Sequence, residues 1–289
     1  MKHLKIFLII VILLLITSCM GAVFYGIAKL PEMGSSKPIK IENNSYAIVK
    51  IPHRLPDAKY DPADFMGMMN YKKQITFGEY MEKLESTVNN PKISGMILKA
   101  DEINLSSSQV EEFEKVIAKF KMARKPIYAY MVGVSEQSYL IASYADSIFM
   151  PESASSWFSL RGYYFPIQFF KNIMDKVGLK AEIIHMGKYK GAGENFARTN
   201  MSEFLRENLT TLFDNLYEYK IKKIAENRNL DYNTLLAQIE NGNLAILEVN
   251  QSLVEKGFID GLSTFQDLSH KIALRMTGQK DLKLVNPYE

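Results

Sequence analysis

Short apolar segments alternate with amphipathic ones along most of this chain, and the alternation limits the fold more than any other feature. Segments rich in aliphatic and aromatic residues lie at 46–51, 94–100, 126–132, 147–151 and 181–186, and each is typical of a strand buried on both faces. Between them, apolar residues recur at three- and four-residue spacing, which indicates helices. Strands separated by helices predict an α/β fold with a mostly parallel sheet and flanking helices.

Five helices are predicted from this spacing and from capping residues. They span residues 77–89, 108–125, 202–227, 231–240 and 246–256. Ser108 is expected to cap the second of them, with Glu111 completing a capping box.

The amino terminus carries an uncharged apolar run at residues 6–28. At about 1.5 Å per residue, such a run can cross a hydrocarbon core of roughly 30 Å. Lys2 and Lys5 precede it and favour a cytoplasmic amino terminus, with the rest of the chain on the outer side of the membrane. A lipoprotein is the alternative, because the residues before Cys19 fit the small-residue pattern of a lipid-modified cysteine.

Three regions follow from these features. Residues 1–30 are predicted to be a transmembrane anchor or signal segment. Residues 31–45 mix Pro, Gly, Ser and Asn without apolar periodicity, which is typical of a linker. Residues 46–289 are predicted to form one α/β domain.

Composition argues against several classes of function. The formal charge is only +3, with 35 basic and 32 acidic residues interspersed, so no basic stripe indicates a nucleic-acid partner. One cysteine and four scattered histidines offer neither a disulfide framework nor metal-ligand spacing. No phosphate-binding loop or dinucleotide fingerprint is present, and no cofactor is expected.

The candidate site is a loop of small residues in which Lys190 stands between Tyr189 and the run Gly191-Ala192-Gly193. A lysine acts as a general base only when its amine is neutral, which requires burial, and small neighbours permit close packing. The same stretch also fits a solvated loop that leads into a serine-capped helix.

Three stretches, at 138–150, 158–202 and 253–262, resemble the protease IV or signal peptide peptidase A family. The resemblance is to the amino-terminal half of its double-length members, and it includes the family's glycine-x-tyrosine-lysine loop. It implies a crotonase or Clp-protease type of α/β fold and a serine-lysine dyad. The family's general base falls on Lys190, which leaves Lys188 as a solvated charge.

The same resemblance implies that Glu194 and Arg198 position the loop, with Glu194 turned away from the lysine amine. The chain also departs from the family. Glu136 stands at the nucleophile position, with Gln137 and Ser138 in place of two glycines. The segment at 99–108, where active relatives have a glycine-rich oxyanion turn, contains no glycine.

The resemblance therefore implies a serine endopeptidase component of the bacterial inner membrane, with the bulk of the chain on the extracytoplasmic side. The nucleophilic serine is expected from a carboxy-terminal half or a partner subunit, in a homo- or hetero-oligomer. Hydrophobic residual signal peptides are the expected substrates. The alternative is an inactive, membrane-anchored peptide-binding or scaffold protein of the same fold. The aromatic residues between 163 and 170 are expected either in core or subunit contacts or in a substrate groove.

Overall fold

The computed structural model of the chain describes residues 41–59, 75–278 and 281–288. The predicted anchor at 1–30 and most of the predicted linker lie outside the described residues. In the part that is described, none of the helices combines the length and the apolar character needed to cross a bilayer.

Strands and helices alternate along the described chain. The strands are β1 (Ser45–Lys50), β2 (Ile93–Lys99), β3 (Ile127–Tyr130), β4 (Gly133–Val134), β5 (Ser147–Met150), β6 (Trp157–Phe158), β7 (Leu247–Glu248), β8 (Gly261–Leu262) and β9 (Leu284–Val285). The helices are α1 (Phe77–Asn89), α2 (Ser107–Met122), α3 (Glu136–Ser143), α4 (Lys171–Lys176), α5 (Glu194–Ala197), α6 (Glu203–Arg228), α7 (Tyr232–Glu240), α8 (Gln251–Glu255) and α9 (Phe265–Thr277).

The strands form two sheets. The larger has the order β8-β5-β3-β2-β1-β9, and every neighbouring pair in it is parallel. The smaller has the order β4-β6-β7, in which β6 and β7 are antiparallel. The prediction of a mostly parallel α/β sheet with flanking helices is confirmed.

Alternate residues of each strand face opposite sides of the large sheet. Ala47 and Val49 of β1 belong to the larger core cluster, which includes the buried side chains of α1 and α2. Tyr46, which precedes them in the strand, belongs to a second cluster with Leu268 and Ile272 of α9. The sheet is therefore covered by α1 and α2 on one face and by α9 on the other.

Helix α1 has the predicted bounds, whereas α2 begins earlier than predicted. Its cap is Ser106, not Ser108, because the Ser106 hydroxyl accepts from Gln109 N at 3.2 Å and Gln109 Oε1 accepts from Ser106 N at 3.0 Å. The Gln109 amide also donates to the Leu55 carbonyl at 2.9 Å, so burial of this glutamine sets the register. Glu111 is exposed and takes no part in the capping box.

Two other predictions were wrong. The segment at 181–186 forms no strand, and Ile184 and Met186 are 99% and 90% exposed. Aliphatic composition favours a strand only where a neighbouring strand and a packing face are available. The predicted helix at 246–256 is the short strand β7 followed by α8.

We predict that Gly95→Ala lowers the free energy of unfolding by about 1–3 kcal/mol, the usual cost of overpacking. A Cβ at Gly95 in β2 would lie 2.7 Å from the Pro126 carbonyl oxygen and against the Tyr46 ring. Urea denaturation of the full chain measures the effect. The matched control is Gly78→Ala in α1, where a Cβ meets nothing within 4 Å and the change should be neutral or slightly stabilising. Equal stability of the two variants would contradict this close approach.

Candidate active site

The chain leaves the core after Leu160. Residues 161–220 include no buried residue, and the next buried residue is Ile221. We call residues 161–220 the arm. Large apolar side chains are exposed along it: Tyr163, Tyr164, Phe165, Ile173, Val177, Leu179, Ile184, Met186 and Leu212. Exposed apolar surface of this extent is typical of surfaces that another molecule covers.

Helix α6 forms the second half of the arm and connects it back to the core. Its amino-terminal cap is Ser202, whose hydroxyl accepts from Leu205 N at 3.1 Å, and its carboxy-terminal cap is Asn229 in the left-handed conformation. Only Ile221, Ile224 and Ala225 of this helix are buried, all near its carboxyl end. The rest of the helix has no buried residue, and Tyr217 packs half-buried against the core.

Small residues give the lysine loop its path against α6. Gly187 and Gly193 have φ values of 98° and 87°, a conformation that other residues rarely adopt. A Cβ at Gly191 would lie 2.7 Å from Leu205 Cδ1, so this glycine lets the loop approach the helix closely. The close packing expected from the small residues is present, and it is made with α6.

Lys190 itself is exposed, and the described residues offer its amine neither an ion pair nor a hydrogen bond. Its neighbours turn towards α6. The Tyr189 ring packs edge-on against Phe204 at 5.6 Å, and its hydroxyl donates to Glu207 at 3.1 Å. Lys188 Nζ lies 5.4 Å from the centre of the Phe204 ring. This contact holds the Lys188 side chain, which was expected to be a solvated charge, close to α6. The residues that the structure describes therefore do not bury the Lys190 side chain.

Glu194 is bonded to the start of α6, and its described contacts do not include the Lys190 amine. Its carboxylate accepts from Ser202 N at 3.0 Å and from the Ser202 hydroxyl at 2.6 Å, at the start of α6. Desolvation raises its pKa, but the hydrogen bonds from Ser202 and the charges of Arg198 and His185 lower it further, so the pKa lies below the ordinary value. Glu194 thus fixes the end of the loop to the helix.

An open groove of about 670 Å³ lies beside the lysine loop. Its apolar lining comes from the arm: Phe165, Ile167, Phe169, Phe170, Leu205 and Leu209, with Tyr189 and Gly191 from the loop. No residue between 163 and 170 is in the core, so that part of the expectation for these aromatic residues was wrong.

The residues at which the family resemblance places a nucleophile lie elsewhere, at the amino end of α3. Glu136 Oε1 accepts the hydrogen of Arg161 N. Gln137 Oε1 accepts from Leu105 N at 3.0 Å, and the Gln137 amide donates to the Leu105 carbonyl. The buried Ser138 hydroxyl accepts from Ile103 N at 3.2 Å. The described contacts do not connect Lys190 with any of these side chains.

These contacts limit what the α3 end can do chemically. Oxyanion stabilisation needs backbone N–H groups aimed at open space where negative charge develops. The Ile103 and Leu105 amides are instead bonded to Ser138 and Gln137. Neither amide is open to a substrate in this conformation.

One further residue supports this region and was missed from the sequence. Asp101 Oδ1 accepts from Val132 N at 2.6 Å and from Gly133 N at 3.3 Å, joining the ends of β2 and β4. A polar residue directly after a buried strand was the available signal. As for metals, residues 41–59, 75–278 and 281–288 contain no group of three His, Cys, Asp or Glu placed to bind one ion.

A model of peptidase family S49 matches residues 119–278, more than half of the chain. The chain belongs to peptidase family S49. It is 25% identical over 214 residues to the chloroplastic serine protease SPPA of Arabidopsis thaliana, a match that covers 74% of this chain and 31% of that protein. It is also 25% identical over 206 residues to protease 4 of Haemophilus influenzae, covering 70% of this chain and 33% of that protein.

The assignment to the protease IV and signal peptide peptidase A family is thus confirmed, and the S49 match contains both Lys190 and Glu136. The chain spans about a third of the length of these two relatives. Among solved structures, Pseudomonas aeruginosa DspI is similar with a TM-score of 0.38 and 10% identity, covering 87% of this chain and 84% of that chain.

We predict that Glu194 makes the start of α6 sensitive to acid. Because the folded-state pKa is lowered, the stabilisation is complete above the ordinary glutamate pKa of about 4.3 and is lost as the pH falls through the folded-state value. Hydrogen exchange at Leu205, followed from pH 6 to pH 3 and corrected for intrinsic rates, should therefore show declining protection. Glu194→Gln should flatten this decline, whereas the control Glu203→Gln should keep it. The same pH dependence in both variants would contradict the assignment.

Proposed function

We propose that this chain is the lysine-donating component of a membrane-anchored S49 signal peptide peptidase. Lys190 acts as the general base for a serine supplied by a carboxy-terminal half or a partner subunit. The observation that carries the proposal is the position of Lys190 on the arm, of which no residue is buried, with an amine that has no partner among the described residues. Such a lysine is available to another chain.

The proposed chemistry is acyl transfer. The neutral Lys190 amine accepts the proton of the partner's serine hydroxyl as the serine oxygen attacks the carbonyl carbon of a peptide. The carbon–nitrogen bond then breaks, and Lys190 returns the proton to the leaving amine. Water hydrolyses the acyl-serine in a second step, again with Lys190 as the base.

Docking of the partner is also proposed to neutralise the lysine. The Lys190 side chain is exposed in the chain by itself, whereas contact with an apolar partner would remove water from around it. Removal of water favours the uncharged amine. Glu194, held by Ser202, does not oppose this with a nearby negative charge.

The remaining parts of the proposal rest on the family. The groove beside the loop is lined mainly by apolar side chains, which supports hydrophobic peptides as substrates. The parallel sheet with helices on both faces supports a crotonase or Clp-protease type of fold. Residues 6–28 are proposed to anchor the chain in the bacterial inner membrane with residues 46–289 on the extracytoplasmic side, or Cys19 to carry a lipid.

A second candidate function is an inactive, membrane-anchored scaffold that binds peptides or partner chains. The observation that favours it is the hydrogen bonding at the α3 end, where Gln137 and Ser138 occupy the amides of Leu105 and Ile103. A chain of this kind binds through the same arm and groove without turnover.

Hydrolysis of a fluorogenic hydrophobic peptide tests the proposal. The detergent-solubilised full chain is assayed alone and with a separately produced serine-bearing chain of the S49 family. We predict activity only in the mixture, and a loss of about 10²–10⁴-fold in kcat with Lys190→Ala, the usual contribution of a general base. The control Lys180→Ala, which removes a lysine 85% exposed on the same arm, should stay within about twofold, as surface charges contribute little.

Two outcomes would contradict the proposal, and a binding assay run in parallel separates them. Activity retained by Lys190→Ala in the assembled mixture would remove this lysine from the mechanism. A mixture that assembles yet stays inactive would favour the scaffold.

A further inference from the structure

We infer that Glu136 is a positioning residue that fixes the root of the arm and thereby the location of Lys190. At the position where the family resemblance places a nucleophile, this chain has a hydrogen bond that connects the core to the start of the arm, which we call the joint. The inference rests on the proposed function for the catalytic role of Lys190. The hydrogen bond between Glu136 and the Arg161 amide is tested independently of that function.

The first root of the arm is at residues 159–161. Ser159 N donates to the Val134 carbonyl at 2.9 Å, and Leu160 N donates to the Leu244 carbonyl at 2.8 Å. Arg161 N then donates to Glu136 Oε1. Beyond Arg161 no residue is buried until residue 221, so Glu136 holds the last backbone amide before the arm departs.

The Arg161 side chain reinforces the same root. Its Nε donates to the Ser159 hydroxyl at 2.8 Å and to the Ala245 carbonyl at 2.9 Å. With the backbone bonded to Glu136 and the guanidinium bonded to Ala245, both ends of this residue are held. The direction in which the arm begins is therefore set by these hydrogen bonds together with the buried Leu160 before them.

The second root of the arm meets the same helix. Near the end of α6, Asn227 Nδ2 donates to the Ser143 hydroxyl at 2.9 Å, and Ser143 is the last residue of α3. Lys223 of α6 also pairs with Glu114 of α2 at 3.0 Å. Helix α3 thus holds the outgoing chain at its first residue and the returning chain at its last.

The chemistry of position 136 explains why a carboxylate suits this role. A glutamate side chain reaches across to the Arg161 amide and accepts its hydrogen with a full negative charge, which makes the bond stronger than one between neutral groups. A serine has a side chain shorter by two carbons and could not span the same gap. The neighbouring contacts of Gln137 and Ser138 hold the other side of the α3 end against residues 103–105.

Hydrogen exchange in the full chain tests the joint without any partner. We expect Glu136→Ala to speed exchange of the Arg161 amide about tenfold or more, as loss of a hydrogen bond to a charged group would. Glu136→Gln keeps an acceptor at the same reach and should restore most of the protection. Exchange of the Ile103 and Leu105 amides should stay at the wild-type rate in both variants. In the control Glu152→Ala, which alters an exposed glutamate, exchange of the Arg161 amide should also stay at the wild-type rate. Unchanged exchange at Arg161 in Glu136→Ala would overturn the inference.

The positioning role is then measured in the mixture with the serine-bearing chain. Glu136→Ala should lower kcat at least about tenfold while KM stays within about twofold, because the peptide still binds but the lysine is misplaced. Glu136→Gln should restore kcat. Should the wild-type mixture be inactive, the proposed function fails, and the exchange result still decides whether Glu136 holds the arm.

The variant Glu136→Ser tests whether the α3 end only holds the arm or is a catalytic centre that lacks its serine. We expect the full chain with this change to remain inactive alone and unlabelled by a fluorophosphonate probe, because the Ile103 and Leu105 amides stay bonded. It should also lose protection at Arg161 as Glu136→Ala does. Labelling of the introduced serine hydroxyl would mean that the α3 end is still a catalytic centre, and it would overturn the inference.

Discussion

A parallel sheet has apolar side chains on both faces, and both faces must be covered before it is stable in water. In this chain α1 and α2 cover one face and α9 covers the other. Residues 161–220 add no buried residue to this covering, and Tyr217 is half-buried against the core. Because other elements cover the sheet, the lysine loop can lie on the exposed arm.

The arm is organised by its own short-range contacts. Gly191 lets the loop pack against Leu205, Tyr189 packs on Phe204, and Glu194 caps the start of α6 through Ser202. These contacts turn the neighbours of Lys190 towards the helix and leave its amine exposed. The loop is therefore shaped by contacts among the described residues, and those residues leave the Lys190 side chain exposed.

The amino end of α3 shows how one place in a fold can serve chemistry or structure. A helix start with free amides beside it can stabilise developing negative charge. Here the side chains of Glu136, Gln137 and Ser138 use the nearby amides as hydrogen-bond donors. The polar atoms are satisfied, and these amides are not open to a substrate in this conformation.

Prediction from the sequence was most successful where the structural element is caused by a local pattern of residues. Periodicity predicted α1 at its observed bounds and the parallel sheet, and the lysine loop predicted the family. It failed at 181–186, because aliphatic residues indicate a strand only when a partner edge is within reach. It failed at Ser108, because the buried Gln109 gains bonds to both Ser106 and Leu55 by starting the helix earlier.

By itself, the sequence determined the alternation of strands and helices, the S49 family and the identity of the residues at positions 136 and 190. These follow from local periodicity and from residue order. Tertiary structure alone decided that Lys190 is exposed and that Glu136 bonds the root of the arm, 25 residues along the chain. Both depend on how segments that are far apart in sequence pack together. A contact between such segments leaves no periodic signal in the sequence of either segment.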